Sequence, residues 1–422
     1  MGKTKAGILI ILMIWAGNVF AQMPGYTPYF PTSQNNADWK YNLRAFYSDD
    51  ANSNHFTNDF FAAVNSSELL TDEMKDDQIN NLNGQTLTGR IRQSGLDAWF
   101  NSKQKPGSMF YYFGVDFQNV LDSQLDSDLI RILLKGNKPY AGQTLYINNS
   151  EYLNQYFNGI KGGVGFYFGS GEVVYAVSAK LALSIGQNYD QVRVSGSSFY
   201  THPEGDYLDL SLHAETQAAD TSWGKLTDIN GLGVSTDLYY SIQKEKDFYA
   251  GIGIQNLGFI SWSGNPFVAS MDSTFRFSGI SNDTTGNQDI PTNYSYDNLR
   301  RLIFDNPDDS PFTESLPMIL NLSAGKFFSE GKFYAGLSAY YYPSLISNYR
   351  LEVFGTWNLK DQIRITPIVA FSSYSKINYG LAADWHISEH IILRAGSTYL
   401  NSYFSKTAIV GRGGFVSLQF FF

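Results

Sequence analysis

The chain has 422 residues, 39 acidic against 30 basic, a net charge of −9 and no cysteine. This balance excludes a nucleic-acid surface, and the lack of cysteine excludes a fold held by disulfides. Mean hydropathy is −0.23, and beyond the first residues no apolar run reaches the length of about eighteen that a spanning helix needs.

Lys3 and Lys5 precede an apolar run from Ile8 to Trp15, and Val19-Phe20-Ala21 follows. A basic start, a short apolar core and a small-x-small site read as a signal peptide over residues 1–21, cleaved after Ala21. The apolar run is too short to span a bilayer. Losing both lysines takes the mature charge to −11. Export without disulfides requires a large ordered scaffold. No cysteine is present to carry a lipid on the new N-terminus.

Residues 22–38 contain Pro24, Pro28 and Pro31 and show no alternation, so they are expected to form an arm or a plug. Residues 39–422 form the remaining unit, with strands starting near Trp39. Ser66 to Leu82 is expected to be a polar helical insert stopped by Gly84. Leu121 to Leu134 is expected to be a second helix, with Leu121, Leu125, Leu129, Ile132 and Leu133 on one stripe and Gly136 as its stop. Packing against the barrel or capping its mouth explains both inserts; docking a partner is the other reading.

Alternation dominates from there. In Val173 to Gly186, Tyr175, Val177, Ala179, Leu181, Leu183 and Ile185 share one face, and Lys180 lies on the other with Ser178 and Ser184. In Asp206 to Glu215, Leu208, Leu210 and Leu212 alternate with Asp209, Ser211, His213 and Glu215. In Gly233 to Ile242, Val234, Leu238, Tyr240 and Ile242 oppose Ser235, Asp237, Tyr239 and Ser241. The long stretch from Ser281 to Ser315 reads as an outer loop, with a third short helix expected over Tyr296 to Phe304.

A soluble sandwich and a membrane barrel both show this pattern. Segments of roughly ten to fourteen residues exceed the usual sandwich strand and suit a tilted crossing of the bilayer. Tight turns such as Lys244 to Asp247 and Leu359 to Gln362 alternate with long connections, as in outer-membrane barrels. The expected fold is all-β: an antiparallel transmembrane β-barrel of about 14 strands, within a range of 12–18. Lys180, Asp209, His213, Glu215 and Asp237 are then candidates for the lumen face.

The sequence ends Val416-Ser417-Leu418-Gln419-Phe420-Phe421-Phe422. A last strand that closes the barrel against the first explains a terminal aromatic. Gly414, Phe420 and Phe422 also resemble the C-terminal signal read by the outer-membrane insertion machinery.

The stretches "IQNLGFISWSGN" (254–265), "LPMILNLSAGKFF" (316–328), "INYGLAADW" (377–385) and "GRGGFVSLQFFF" (411–422) resemble motifs of an uncharacterised family of Bacteroidota outer-membrane proteins. That family is similar in architecture to FadL-like barrels, which include the hydrophobic-compound transporter FadL and the type IX secretion accessories PorV and PorP/SprF. The resemblance implies an outer-membrane location in a Gram-negative bacterium.

Enzymatic signals are weak. His213 between Asp209 and Glu215 could activate water, but a polar lumen ladder explains it, and no Gly-x-Ser-x-Gly occurs. His386 and His390 straddle a predicted hairpin without a third ligand. Gly162, Gly163 and Gly165 precede no helix, and Asp305 to Ser310 lacks calcium-loop spacing. No enzyme, cofactor or metal is expected.

Two functions remain. One is a FadL-like channel or transporter for a small ligand, expected to be hydrophobic. The other is a non-transporting accessory or docking subunit of an envelope machine, in type IX secretion or outer-membrane biogenesis. Phe259 and Trp262 suit either a ligand site or the interfacial aromatic girdle. A lumen filled by side chains would favour the accessory, and a continuous apolar tunnel would favour transport. Expected partners are outer-membrane lipid, the insertion machinery and a secretion or envelope complex.

Overall fold

The computed structural model describes residues 40–66, 69–100, 106–170, 172–219, 228–244, 247–278, 308–329, 332–346, 348–360, 362–374, 377–405 and 407–422. The leader (1–21), the arm or plug (22–38) and the helix expected over Tyr296 to Phe304 lie outside the described residues.

The chain runs β1 (Tyr41–Thr57), helices α1 (Asn58–Ser66) and α2 (Asp72–Asn80), β2 (Thr86–Phe100), β3 (Met109–Leu125), helix α3 (Ser127–Lys135), β4 (Thr144–Ile147), β5 (Ser150–Ser170) and β6 (Val173–Val194). It continues through β7 (Ser197–Thr201), β8 (Leu208–Ala219), β9 (Gly231–Lys244), β10 (Phe248–Trp262), β11 (Pro266–Phe277), β12 (Phe312–Ser315) and β13 (Ile319–Phe328). The last elements are β14 (Phe333–Tyr341), β15 (Tyr349–Lys360), β16 (Ile363–Ser372), β17 (Asn378–Ser388), β18 (Ile391–Ser397), helix α4 (Leu400–Tyr403) and β19 (Ile409–Phe421).

Fourteen of these strands close an antiparallel barrel. The wall runs β1, β2, β3, β5, β6, β9, β10, β13 to β19 and back to β1. Closure is made by the last residues: Leu43 pairs with Phe420 and Asn42 with Phe421. The Lys40 and Tyr41 N–H groups donate to the Phe422 carbonyl at 2.8 and 3.1 Å. No wall edge is left to bond elsewhere. Lys40 and Phe422 share one end of the barrel with the short β5–β6, β9–β10, β13–β14, β15–β16 and β17–β18 turns. The four helices and the long connections lie at the other end, called here the upper end.

Alternation sorts the side chains. Leu181 (73 % exposed), Leu183, Val234, Leu238 and Tyr240 point outward, while Lys180, Ser184, Ser235, Asp237 and Tyr239 are buried inside. A surface so apolar outside and polar inside fits a bilayer and not water.

Five strands stand outside the wall. β8 pairs with the upper part of β6 (Tyr189 to Val194), with β7 and with β11; β4 pairs with β7, and β12 with β10. The alternating segment Asp206 to Glu215 therefore builds an extension above the barrel, not a crossing.

The helical expectations need two corrections. Residues Leu121 to Leu125 complete β3, and α3 starts only after Asp126, whose side chain caps the Asp128 N–H at 2.9 Å. Gly136, at φ 71°, does end it, with its N–H on the Ile132 carbonyl. The insert expected over Ser66 to Leu82 is shorter, α2 alone, which begins where Thr71 caps the Met74 N–H, and a helix that was not expected precedes it. The earlier helix, α1, packs against β1 and β19 and carries no strong sequence stop signal.

Candidate functional site

The inward faces of the wall strands build a lumen in three layers. The lower layer is aromatic. Trp99, Phe110, Tyr112 and Tyr167 cluster there with Ala176, while Phe354, Ile368, Ala382 and Phe415 form a separate cluster on the inner wall of β15, β16, β17 and β19. A Cβ on Gly165 would stand 2.0 Å from the Phe110 ring, so this strand needs glycine where the aromatic lies across it.

Charge fills the middle layer. Arg44 grips Asp97 through Nε and Nη2, and Tyr112 donates to the same carboxylate. Lys161 Nζ lies 3.1 Å from Asp116 Oδ2 and 3.2 Å from Asp237 Oδ2. Lys180 Nζ stands 3.6 Å from the centre of the Tyr112 ring, a cation–π contact. Three cations and three carboxylates thus neutralise each other, and all six residues are buried. Such ions survive burial only when mutually paired. Between them is a cavity of about 80 Å³, room for water and not for a solute.

Asn256 braces this layer. It is the extra residue of a β-bulge between Ile254 and Leu257, in the left-handed region at φ 55°. Its N–H donates to Asp237 Oδ1 at 2.8 Å, and its Nδ2 donates to Gln118 Oε1 at 3.0 Å and the Pro317 carbonyl at 3.2 Å.

The upper layer is apolar. Val120, Leu153, Phe157, Tyr189, Ile260, Trp262, Leu316, Ile319, Tyr340, Tyr342 and Leu345 form one cluster across the barrel. Trp262 is fully buried, its ring lying on Gly186 and Gly231, where a Cβ would meet it at 2.5 and 3.0 Å. Trp262 Nε1 and Gln155 Nε2 have no hydrogen-bond partner among the described residues.

Two connections fold in over this layer and fasten on Asp122 of β3. The Ile346 N–H reaches Oδ2 at 2.6 Å, and Tyr374 Oη reaches Oδ1 at 2.9 Å. Beside them Arg350 holds Asp50 at 2.6 Å, Glu352 at 2.7 Å and Thr398 at 2.7 Å, while Tyr399 also donates to Asp50.

The structure places the sequence candidates as follows. Lys180 and Asp237 sit in the charged layer. Asp209, His213 and Glu215 do not join them, because β8 belongs to the extension. Asp209 pairs with Arg276 at 2.7 Å, and His213 Nε2 lies 2.9 Å from Asp272 Oδ1, both across β8–β11. Glu215 lines an open cleft of about 460 Å³ with Gln191, Arg193, Gln217 and Asp308. Phe259 points outward and is 48 % exposed, whereas Trp262 points in. Their odd spacing puts them on opposite faces, and the bulge at Asn256, which shifts the phase of β10, sets Trp262 as the one that turns inward. Gly414 pairs with Asp49, and Phe420 with Leu43, in the closing seam. His386 lies near the end of β17 and His390 in the turn before β18; among the described residues no group of three His, Asp or Glu could hold a metal.

Arg44, Asp97, Asp116, Lys161 and Asn256 were not singled out from sequence. The available signal was a lone charge at an inward position of an aromatic strand, as in "YNLRAFYS" and "DAWF".

A family model described as a family of unknown function, DUF5723, matches residues 31–390, and the chain belongs to that family. No curated protein matches the sequence. Similar solved structures include a TodX deltaS2S3 mutant monoaromatic hydrocarbon channel, at 6 % identity and TM-score 0.42, covering 91 % of this chain and 89 % of that one. The P. putida toluene transporter TodX is similar at 8 % identity and TM-score 0.37, covering 91 % and 89 %. The CymD monoaromatic hydrocarbon channel is similar at 9 % identity and TM-score 0.30, covering 92 % and 89 %.

Proposed function

We propose that this DUF5723 barrel is a non-enzymatic outer-membrane protein acting as a closed, FadL-like channel for a small, mainly hydrophobic ligand. The observation that carries the reading is the upper layer of the lumen. A cross-barrel aromatic cluster beside Trp262 Nε1 and Gln155 Nε2, unpartnered among the described residues, offers an apolar site with a few polar handles, as small-molecule sites do. Two bonds of its cover meet on one carboxylate, Asp122. The neutralised layer below keeps the barrel from acting as an open pore. The outward apolar face of the wall supports the outer-membrane location.

The test uses the fluorescent hydrophobe N-phenyl-1-naphthylamine in cells. A strain lacking the protein should take it up more slowly than wild type, and Asp122→Ala, which frees both connections, should change the rate. Equal uptake by all three strains would sink the channel reading.

A second reading is favoured by one observation: among the described residues, the charged layer leaves no passage for a solute. A sealed barrel suits an accessory or docking subunit of an envelope machine, of the kind PorV and PorP/SprF represent. A stoichiometric protein partner in a pull-down from native membranes, with hydrophobe uptake unchanged, would decide for it. Deleting residues 23–36 separates the two as well. Higher conductance in planar bilayers marks a plug, and loss of the partner marks a docking arm.

A further inference from the structure

Three arginines stand together on the outside of the barrel. On β2 the inward positions are Ile91, Gln93, Asp97 and Trp99, so Arg90 and Arg92 point outward. Asp49 of β1 pairs in register with Arg92, and Ala51 lies between Arg90 on one side and Arg412 of β19 on the other. On β19 Phe415 and Phe421 are buried inside, which turns Arg412 outward.

The charges do not cancel here. Arg90 binds Asp49 through Nε (2.7 Å) and Nη2 (2.5 Å), and Arg92 through Nε (3.2 Å) and Nη2 (3.1 Å). Tyr47 Oη adds a contact at 3.3 Å. Asp49 is the one carboxylate these guanidiniums share, and it is covered by them, at 9 % side-chain exposure against 36 % and 39 %. Arg412 is exposed and, among the described residues, donates to the neutral Asn58, through Nε to Oδ1 at 3.0 Å and Nη2 to the carbonyl at 3.4 Å. The neighbouring Asp59 has its carboxylate turned to Thr57 Oγ1 and the Phe60 N–H. Among the described residues three cations therefore face one anion, on a chain whose net charge is −9.

Their height on the wall selects the ligand. Below Asp49 the outward residues of β1 are Tyr47, Ala45, Leu43 and Tyr41. Below Arg92 on β2 come Ser94, Leu96, Ala98 and Phe100, and below Arg412 on β19 come Gly414, Val416, Leu418 and Phe420. The arginines mark the upper limit of the apolar surface, where a headgroup meets its acyl chains. Phe404, 87 % exposed, sits beside them, since Asn58 Nδ2 bonds the carbonyls of Ser402 and Ser405 on either side of it. Guanidinium groups grip phosphate oxygens in pairs, and a soluble anion would have no use for the apolar run beneath.

We propose that the outer face of β19, β1 and β2 binds the phosphorylated headgroup of an outer-leaflet lipid. Arg90, Arg92 and Arg412 hold its phosphates, and its acyl chains lie along the apolar run below. The proposal rests on the outer-membrane location.

Native mass spectrometry of the full barrel in detergent tests it. The probes are bis-phosphorylated lipid A, the same lipid without phosphates, and inorganic phosphate. Wild type should retain the bis-phosphorylated lipid at least about tenfold better than the dephosphorylated one, and Arg90→Gln/Arg92→Gln/Arg412→Gln should lose that preference. Equal retention of the two lipids by wild type overturns the proposal, and that comparison stands even if the triple variant fails to fold. Displacement by millimolar inorganic phosphate with no preference between lipids would mark a free-phosphate site and overturn the lipid assignment. Absence of a heat-modifiable wild-type barrel from outer-membrane fractions would sink the location instead, a failure seen before any lipid is added.

Discussion

Asp237 Oδ1 accepts the backbone N–H of Asn256 at 2.8 Å from the neighbouring strand, while Oδ2 of the same carboxylate holds Lys161. The bulge and the charged layer are thus one construction. The extra residue frees an N–H that no wall partner takes, and the carboxylate satisfies it inside the lumen. Asn tolerates a φ of 55° better than other side chains except Gly. Asn256→Gly keeps the conformation and loses the bonds to Gln118 and Pro317, costing about 1–2 kcal/mol. Asn256→Val adds backbone strain and should cost about 3 kcal/mol or more. Urea unfolding of the refolded barrel measures both, and a valine variant as stable as the glycine one would refute the left-handed bulge.

Lys161 serves Asp116 and Asp237 together, so its loss leaves two buried carboxylates short of a cation. Lys161→Met should destabilise by about 3–5 kcal/mol. Adding Asp237→Asn should recover about half of that, because the amide can still accept the Asn256 N–H without carrying charge. A double-mutant cycle in which the two changes simply add would show that they do not share a network.

Much of the wall was legible because period-two alternation is a local property. Leu181 and Lys180 declare opposite faces from sequence alone, and the terminal aromatic strand declares closure. What failed depended on non-local facts. β8 alternates as a wall strand does, and only its partners, β11 and the top of β6, place it above the barrel. Counting by twos from Ile254 puts Trp262 outside; the one residue inserted at Asn256 turns it in. Lys161 meets Asp237 in the charged layer and Arg350 meets Asp50 beside the covering connections, across 76 and 300 residues, so no window of sequence contains the site.

The placement of β8 gives a direct contrast between two leucines that look alike in sequence. Leu181 is outward in the wall and 73 % exposed, and Leu181→Arg near the midplane should cost about 2–4 kcal/mol. Leu210 lies in the extension opposite Phe275, so Leu210→Arg should cost well under that. Cysteine at position 210 should react with a water-soluble maleimide on intact cells, and cysteine at 181 should not. Protection at both positions would return β8 to the membrane.

The closing seam can be separated from the insertion signal. Deleting Phe420 to Phe422 removes the pairs with Leu43 and Asn42, the contact of the Phe421 N–H with the His390 carbonyl, and the bonds to Lys40 and Tyr41. Each backbone group left unpaired at membrane depth costs several kcal/mol, so folded protein should disappear from the outer membrane and fragments should collect in the periplasm. Phe422→Ala keeps every one of those backbone bonds and alters only the terminal aromatic. If closure is what matters, this variant should reach the outer membrane as a heat-modifiable band near wild-type level. If recognition by the insertion machinery matters more, it should fail almost as badly as the deletion. Wild-type amounts of folded protein from the deletion itself would show that β19 does not close the barrel.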